Sequence, residues 1–563
     1  MTAAGAAGRT AGGRTDARVS RRLLRSSAIV GVGTALSRVT GFLRVAAIAY
    51  SLGGATVAGV YSYASQTPAM LYELLLGGVL TATLVPLFVR QVEQRDDRAT
   101  SAVFTVSAVA LLGLTVVGVL IAPWIVDLYT LRVSGADREA QQQLATDLLR
   151  LFMPLIFFYG MVALATALLN ARRRFTAAAL APILNNIVVI AIFLALPRVA
   201  DEPFTLDRVR HDTGLVLLLG LGTTAGLAAV ALVLVPALTR AGARIRFVLD
   251  FRHAAVATMM RLSGWTVGYV IANQVALWVV LVLANDVNGG PFLYLSAYAF
   301  FQLPHGLLAV SLMTTIAPEM ASAAGRGDIA GLRERLSFGL RMTILAVLPA
   351  AAAFVGLARP IVVALLERGA FTAADSAVTA DAIACFSVGL VPFSVYLFSL
   401  RAFYSLQDTR TPFLLNCFEN AANIALAIPL YLWLGIPGLA LSFAGAYAVA
   451  AVVTLAVLRR RLGRFDGRRI LDTTARVLAT GLVVAAATWA VSRALGWETT
   501  GRAVLTTAVG LLAAIAAWAA GFVALRVPEL ADLRALLPGR FSGRRGSEGL
   551  PSEVRSQGLA REQ

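Results

Sequence analysis

Lysine is missing from this 563-residue chain, so all 49 of its basic residues are arginine. Histidine occurs three times and cysteine twice, and charged residues make up only 14% of the sequence. A soluble domain of this size carries about a quarter charged residues. The two cysteines, Cys385 and Cys417, lie in apolar segments and offer neither a disulfide framework nor metal-ligand spacing. There is no phosphate-binding Gly-Lys loop, no paired histidine and no convincing nucleophile elbow, so enzyme chemistry has no recognisable motif.

What the chain does have is hydrophobic sequence: 58% of residues, with a mean hydropathy of +0.76. It falls into runs near 27–52, 57–89, 101–129, 143–170, 178–197, 213–238, 257–284, 291–322, 339–366, 378–405, 412–434, 436–458, 470–495 and 502–526. Each is long enough to cross a hydrocarbon core of roughly 30 Å. No single water-surrounded core would bury so much apolar surface. The expected fold is an all-α integral membrane protein with about fourteen transmembrane helices.

The net charge of +18 is spread over short connections between apolar runs, which reads as orientation charge and not as a nucleic-acid stripe. Alternate connections carry Arg90/Arg95/Arg98, Arg172/Arg173/Arg174, Arg240/Arg244/Arg246/Arg252, Arg326/Arg333/Arg335, Arg410 and Arg459/Arg460/Arg461. The opposite set is short or acidic, including Gly53-Gly54, the stretch 201–212 and Asn285-Asp286. With a basic segment at each end, both termini are expected in the cytoplasm. Residues 1–26 read as a disordered basic tail, because the apolar run that follows is too long for a cleavable signal. Residues 527–563 read as a second disordered tail. The all-arginine set also fits a GC-rich genome.

An internal repeat is visible. Arg173, Asn186 and Ile187 match Arg410, Asn423 and Ile424 at one offset of 237 residues, and Pro68-x-x-Leu71 pairs with Pro304-x-x-Leu307 at nearly the same offset. A cytoplasmic loop maps onto a cytoplasmic loop, so the repeats are parallel. The expected organisation is an N-lobe at 27–238 (helices 1–6), a basic linker at 239–256, a C-lobe at 257–459 (helices 7–12) and two further helices at 460–526. The two six-helix lobes are then related by a pseudo-two-fold.

Several motifs resemble one family. Ser37-Arg38-Val39-x-Gly41-Phe42-x-Arg44, Leu52-Gly53 and Val85-Pro86 are similar to the first two spans of the MurJ/MviN lipid II flippases. So are Arg368-Gly-Ala-Phe-Thr-x-x-Asp375 before the tenth span and Phe403-Tyr-Ser-x-Gln-Asp-Thr-x-Thr-Pro412 in the next loop. The resemblance implies a fourteen-helix, two-lobe fold related to multidrug exporters. It implies a flippase that turns an undecaprenyl-pyrophosphate-linked peptidoglycan precursor, lipid II, from the inner to the outer leaflet of a bacterial cell membrane. It also implies membrane lipids and cell-wall or divisome proteins as partners, no nucleic acid, no cofactor, and coupling to sodium ion or membrane potential. The chain departs from the family pattern at Gly59, where an acidic residue is usual, and at Tyr72 and Ala299, where basic residues are usual. An actinobacterial-type branch would tolerate such losses.

Arginine inside an apolar span is costly and defaults to function, and its planar fork suits phosphate oxygens. Arg38 and Arg44, with Ser37, Gly41 and Gln302, are therefore the candidate substrate-binding residues. The competing reading has Arg44 snorkelling to the interface and Arg38 paired with Glu73. Asn416, Glu419, Asn420 and Asn423 recur at i, i+3, i+4 and i+7 on the eleventh span. They are either a candidate cation site of hard oxygen donors or interhelical hydrogen-bonding groups. His305 reads as a structural histidine. Export of another lipid-linked glycan, a drug/cation antiporter, and a transferase using Asp207 or His211 remain as alternative functions.

Overall fold

The computed structural model describes residues 31–74, 78–94, 96–200, 203–250, 264–464 and 466–525. The expected tails at 1–26 and 527–563, and residues 251–256 of the expected linker, lie outside the described residues. The described chain is helical, with no strand among the described residues.

The helices are α1 (Gly31–Leu52), α2 (Thr56–Tyr72), α3 (Gly78–Glu93), α4 (Asp97–Tyr129), α5 (Ala136–Phe152), α6 (Leu155–Ala171), α7 (Phe175–Val199), α8 (Leu206–His211) and α9 (Thr213–Arg240). They continue with α10 (Gly264–Ala284), α11 (Gly290–Pro304), α12 (Val310–Gly325), α13 (Ile329–Leu365) and α14 (Ala373–Ser405). The last four are α15 (Arg410–Leu434), α16 (Ile436–Leu462), α17 (Gly467–Leu495) and α18 (Thr500–Ala524). Among the described residues, 12 helical segments are long and apolar enough to cross a membrane, and Gly268–Ala284 is a shorter apolar one. The expected second span, 57–89, is α2 followed by α3, with a π-helical stretch at Glu73–Leu74 between them. The expected eighth span is α11 and α12 joined by a π-turn at His305–Ala309. Both irregularities follow a proline inside the preceding helix, Pro68 and Pro304.

Helix ends are specified locally. Asp96 accepts from Ala99 N at 2.8 Å, Asp212 from Leu215 N at 3.1 Å and Asp328 from Gly331 N at 2.7 Å, each satisfying an orphan donor of the first turn. Thr372 and Asp375 form a reciprocal capping box on α14. Large apolar side chains such as Leu120, Trp124, Leu232, Trp433 and Leu512 stand exposed along the helices, as a lipid solvent requires.

Two connections share one turn. After α6, Arg174 N donates to Leu169 O and Arg173 N to Asn170 O; after α14, Asp408 N donates to Phe403 O and Gln407 N to Tyr404 O. Both are Schellman closures with a non-glycine residue at φ 58°. The left-handed residues are Arg173 and Gln407, so the turns align three residues away from the 237-residue register of the sequence match.

The second turn is braced by Asp408, which accepts from Thr411 N at 3.0 Å and Thr411 Oγ1 at 2.6 Å and pairs with Arg461. Burial would raise this carboxyl, but the Thr411 hydrogen bonds and Arg461 together hold it below the usual carboxylate value. Its contribution to stability is therefore complete above about pH 3.9 and is lost only as pH falls through the lower folded value. Asp408→Ala is expected to cost about 1 kcal/mol, the usual worth of a lost N-terminal cap. Thermal unfolding of the two proteins in detergent at neutral pH measures it, and the difference is expected to vanish in strong acid.

Candidate functional site

A cavity of about 560 Å³ lies at mid-depth between α1, α2, α6, α7 and α9 on one side and α10, α11, α14, α15 and α16 on the other. Its charged lining residues are Arg44 and Glu419. The remaining polar groups are phenols (Tyr61, Tyr159, Tyr269, Tyr294, Tyr298, Tyr447), amides (Gln66, Asn185, Asn273, Gln274, Asn420, Asn423) and hydroxyls. Arg44 lies in the electrostatic neighbourhood of Tyr61 and Tyr159, and its buried Nε has no protein hydrogen-bond partner. An arginine held this way presents its fork to the cavity, where an anion would complete it.

Arg38 is placed elsewhere. With Ser37, Gly41 and Gln302 it lines a second pocket of about 600 Å³ between α1, α7 and α11. The two arginines are six residues apart on an unbroken helix, about 9 Å along its axis and on different faces. Ala299 lines both spaces, and Gln302 Nε2 donates to Tyr298 Oη at 2.5 Å, so one turn of α11 forms the partition. The Arg38 guanidinium lies over Gly306 in the π-turn, where a Cβ would sit 3.5 Å from Cζ. Asn186 Nδ2 ties α7 to α1 through Thr40 Oγ1 at 3.0 Å and Ser37 O at 3.3 Å. Glu73 accepts from Gln274 Nε2 at 2.5 Å. His305 is buried, hydrogen-bonded to Ser394 Oγ at 2.9 Å and packed edge-on against Phe393.

The four residues singled out on α15 are buried together, with Glu419 only 1% exposed. Asn416 and Asn420 both donate to Asn273 Oδ1 at 2.9 Å, Asn423 accepts from Ser442 Oγ at 3.0 Å, and Glu419 faces the Tyr447 hydroxyl. Asn416 Oδ1 and Glu419 Oε2 are buried without a hydrogen-bond partner. Two orphaned hard oxygens among amides fit a small monovalent cation better than a transition metal. No cluster of three or more His, Cys, Asp or Glu that could hold a metal occurs among the described residues. Asn273 and Gln274 were overlooked in the sequence, although a polar pair inside an apolar run is the same signal that marked Glu419.

At the acidic end the cavity is sealed. Gly53 and Gly54 sit against Ala370 and Asp375, with Ala370 N donating to Tyr50 O at 2.9 Å and Gly54 N to Asp375 Oδ2 at 3.2 Å. Gly289, at φ 65°, leaves so little room that a Cβ there would lie 1.9 Å from Gly54 O. Arg132 pairs with Asp286 at 3.1 Å across the same seam, and Tyr431 donates to that carboxylate at 3.1 Å. The segment 368–375, singled out as a motif, is thus half of the closure.

A many-span helical bundle with a polar cavity at its centre, shut at one end and flanked by a second arginine towards the other, is built as a membrane transporter working around a central site. Residues 48–508 match the family described as lipid II flippase MurJ, and the chain belongs to that family. A probable lipid II flippase MurJ of Rhizobium meliloti (strain 1021) is 29% identical over 505 residues, spanning 87% of this chain and 92% of the relative. The lipid II flippase MurJ of Burkholderia cenocepacia is 29% identical over 398 residues, spanning 69% and 75%. A solved structure of lipid II flippase MurJ in an inward closed conformation superposes with a TM-score of 0.71 at 20% identity, covering 88% of this chain and 99% of that one. An inward-facing multidrug resistance MATE family transporter of the MOP superfamily gives 0.62 at 16% identity, covering 75% and 94%. At those identities the structural likeness speaks for the fold.

The seam carries its own prediction. Gly289→Ala meets both a left-handed backbone and a backbone oxygen, so it is expected to hold the acidic end open. Ser62→Cys in the cavity should then react faster with a membrane-impermeant thiol reagent from that side than it does with Gly289 intact. Cys385 and Cys417 are replaced by alanine in both proteins.

Proposed function

We propose that this protein is a lipid II flippase of a bacterial inner membrane, with both termini in the cytoplasm. It carries the head group of an undecaprenyl-pyrophosphate-linked precursor from the inner to the outer leaflet while the polyprenyl tail stays in lipid. Family membership supports the substrate. The observation that carries the mechanism is Arg44, whose buried Nε lacks a protein hydrogen-bond partner, in the lining of a polar cavity closed at the acidic end. The head group enters from the arginine-rich side past Arg38, Ser37, Gly41 and Gln302, and its pyrophosphate settles on Arg44. The phenols and amides around Arg44 suit the sugars, since they give hydrogen bonds and flat apolar faces without competing charge. Two lobes, 27–238 and 257–459, rock about this cavity, with 460–526 packed outside the second.

A likeness in fold alone supports the drug-antiporter alternative, so the lipid-linked substrate is the stronger reading. The test is rescue of cells depleted of their own lipid II flippase, with precursor accumulation followed in parallel. Rescue is expected; its failure despite normal membrane expression would overturn the substrate. Arg44→Ala is expected to slow flipping about tenfold or more, the scale of a lost charge-assisted hydrogen bond, with Arg44→Lys intermediate.

Asn416, Glu419, Asn420 and Asn423, with Asn273, form the cation site that couples transport to a sodium ion or to the membrane potential. Flipping in proteoliposomes is expected to fall when sodium is replaced by choline. In Glu419→Gln the rate is expected to stop responding to sodium. Equal rates in both salts for the unaltered protein would remove the sodium arm and leave the potential.

A further inference from the structure

The chain between α9 and α10 does something that no helix packing requires. At Arg240 the helix closes on Gly242 (φ 80°), and Arg172 Nη1 donates to Ala241 O at 2.9 Å. Residues 243–250 then run without regular secondary structure along the first turns of α4. Two hydroxyls of α4 hold them. Ser101 Oγ accepts from Arg246 N at 3.1 Å and lies 3.4 Å from Arg244 O. Thr105 Oγ1 accepts from Val248 N at 3.0 Å and lies 3.4 Å from Arg246 O. Every second residue is thereby fixed, as on the paired edge of a strand.

Ile245, Phe247 and Leu249 are the intervening residues, and they stand 39%, 79% and 52% exposed. Arg240, Arg244 and Arg246 are exposed beside them. Three large apolar side chains at alternate positions of an ordered strap, flanked by arginine, make an amphipathic edge.

Its level along the bundle identifies what it meets. From Thr105 to Tyr129 the helix α4 covers about 36 Å, and α9 covers about 40 Å from Thr213 to Arg240. Both exceed a hydrocarbon core of roughly 30 Å. The strap therefore lies in the headgroup layer at the arginine-rich end, with its apolar edge at the acyl boundary and its guanidinium groups among phosphates.

We propose that residues 243–250 form an interfacial lipid-binding strap that seats Ile245, Phe247 and Leu249 in the leaflet and recognises anionic phospholipid headgroups through Arg240, Arg244 and Arg246. The strap anchors the joint between the two halves of the chain to the leaflet surface, so the joint stays at fixed depth while helices around the cavity move. This reading depends on the membrane-spanning fold and is independent of the transported substrate.

The test uses the full chain with Cys385 and Cys417 changed to alanine, reconstituted in nanodiscs of phosphatidylcholine with or without phosphatidylglycerol. Spin labels are placed singly at Ile245→Cys, Phe247→Cys and Leu249→Cys, with Asp207→Cys as an aqueous control. Collision with oxygen and with a water-soluble nickel complex is measured for each. The expected result is loss of nickel accessibility and gain of oxygen accessibility at all three strap positions relative to Asp207. Phosphatidylglycerol should deepen the shift, and Arg244→Gln with Arg246→Gln should abolish that deepening. Strap labels as open to nickel as the Asp207 label would overturn the proposal. Labels shielded from both reagents would also overturn it, because protein and not lipid would then cover the edge. Shielding unaffected by phosphatidylglycerol would overturn the headgroup recognition.

Discussion

In hydrocarbon a peptide group that fails to find a partner within the protein finds none at all. That constraint makes the chain helical, and it also dictates where the few acidic residues go. Asp96, Asp212, Asp328 and Asp375 each sit at the start of a helix and accept backbone donors there. Arginine, with no acceptor capacity, fills the opposite role near helix ends, as where Arg172 donates to Ala241 O and Arg368 to Ala364 O. Capping is thus met by sparse charges, and few are left for the interior. Two of those that remain there, Arg44 and Glu419, border the central cavity.

Backbone irregularity is concentrated near that cavity. The π-helical stretches after Pro68 and Pro304 occur in the second and eighth expected spans, the same pair that the sequence repeat aligns. Insertions of this kind redirect side chains and often mark functional positions. The three positions where the family resemblance led one to look for charge are used differently here. Gly59 allows contact with Gly289 and Pro291, Tyr72 stacks on Tyr159 at 5.8 Å, and Ala299 lines the partition between the two pockets. At Gly59 and Tyr72 close packing stands where charge was sought.

Much of the fold was legible because membrane spans announce themselves by length and by arginine bias. Arg44 was legible for the same reason, as was the polar face of α15, since each breaks an apolar run. The separation of Arg38 from Arg44 was hinted at by helical geometry, but the partition between them depends on Tyr298, Ala299 and Gln302 of a helix more than two hundred residues away. Asn273 is an acceptor for two amides of α15, a pairing that only tertiary contact reveals. The glycine seam was hidden for another reason. Gly53-Gly54 and Gly289 read as ordinary turns, and nothing in their spacing says that the two turns meet. The strap at 243–250 looked like a basic linker because its order comes from two hydroxyls on another helix.

The missing lysine has a chemical consequence of its own. A guanidinium is a planar, delocalised fork of five donors, whereas an ammonium is a compact point charge. The cations of this protein's arginine-rich face are therefore all planar forks, which meet phosphate oxygens in pairs. Without side-chain amines, that face is also closed to acetylation and to Schiff-base chemistry. Salt, lipid composition and the ligand itself remain as ways to modulate it.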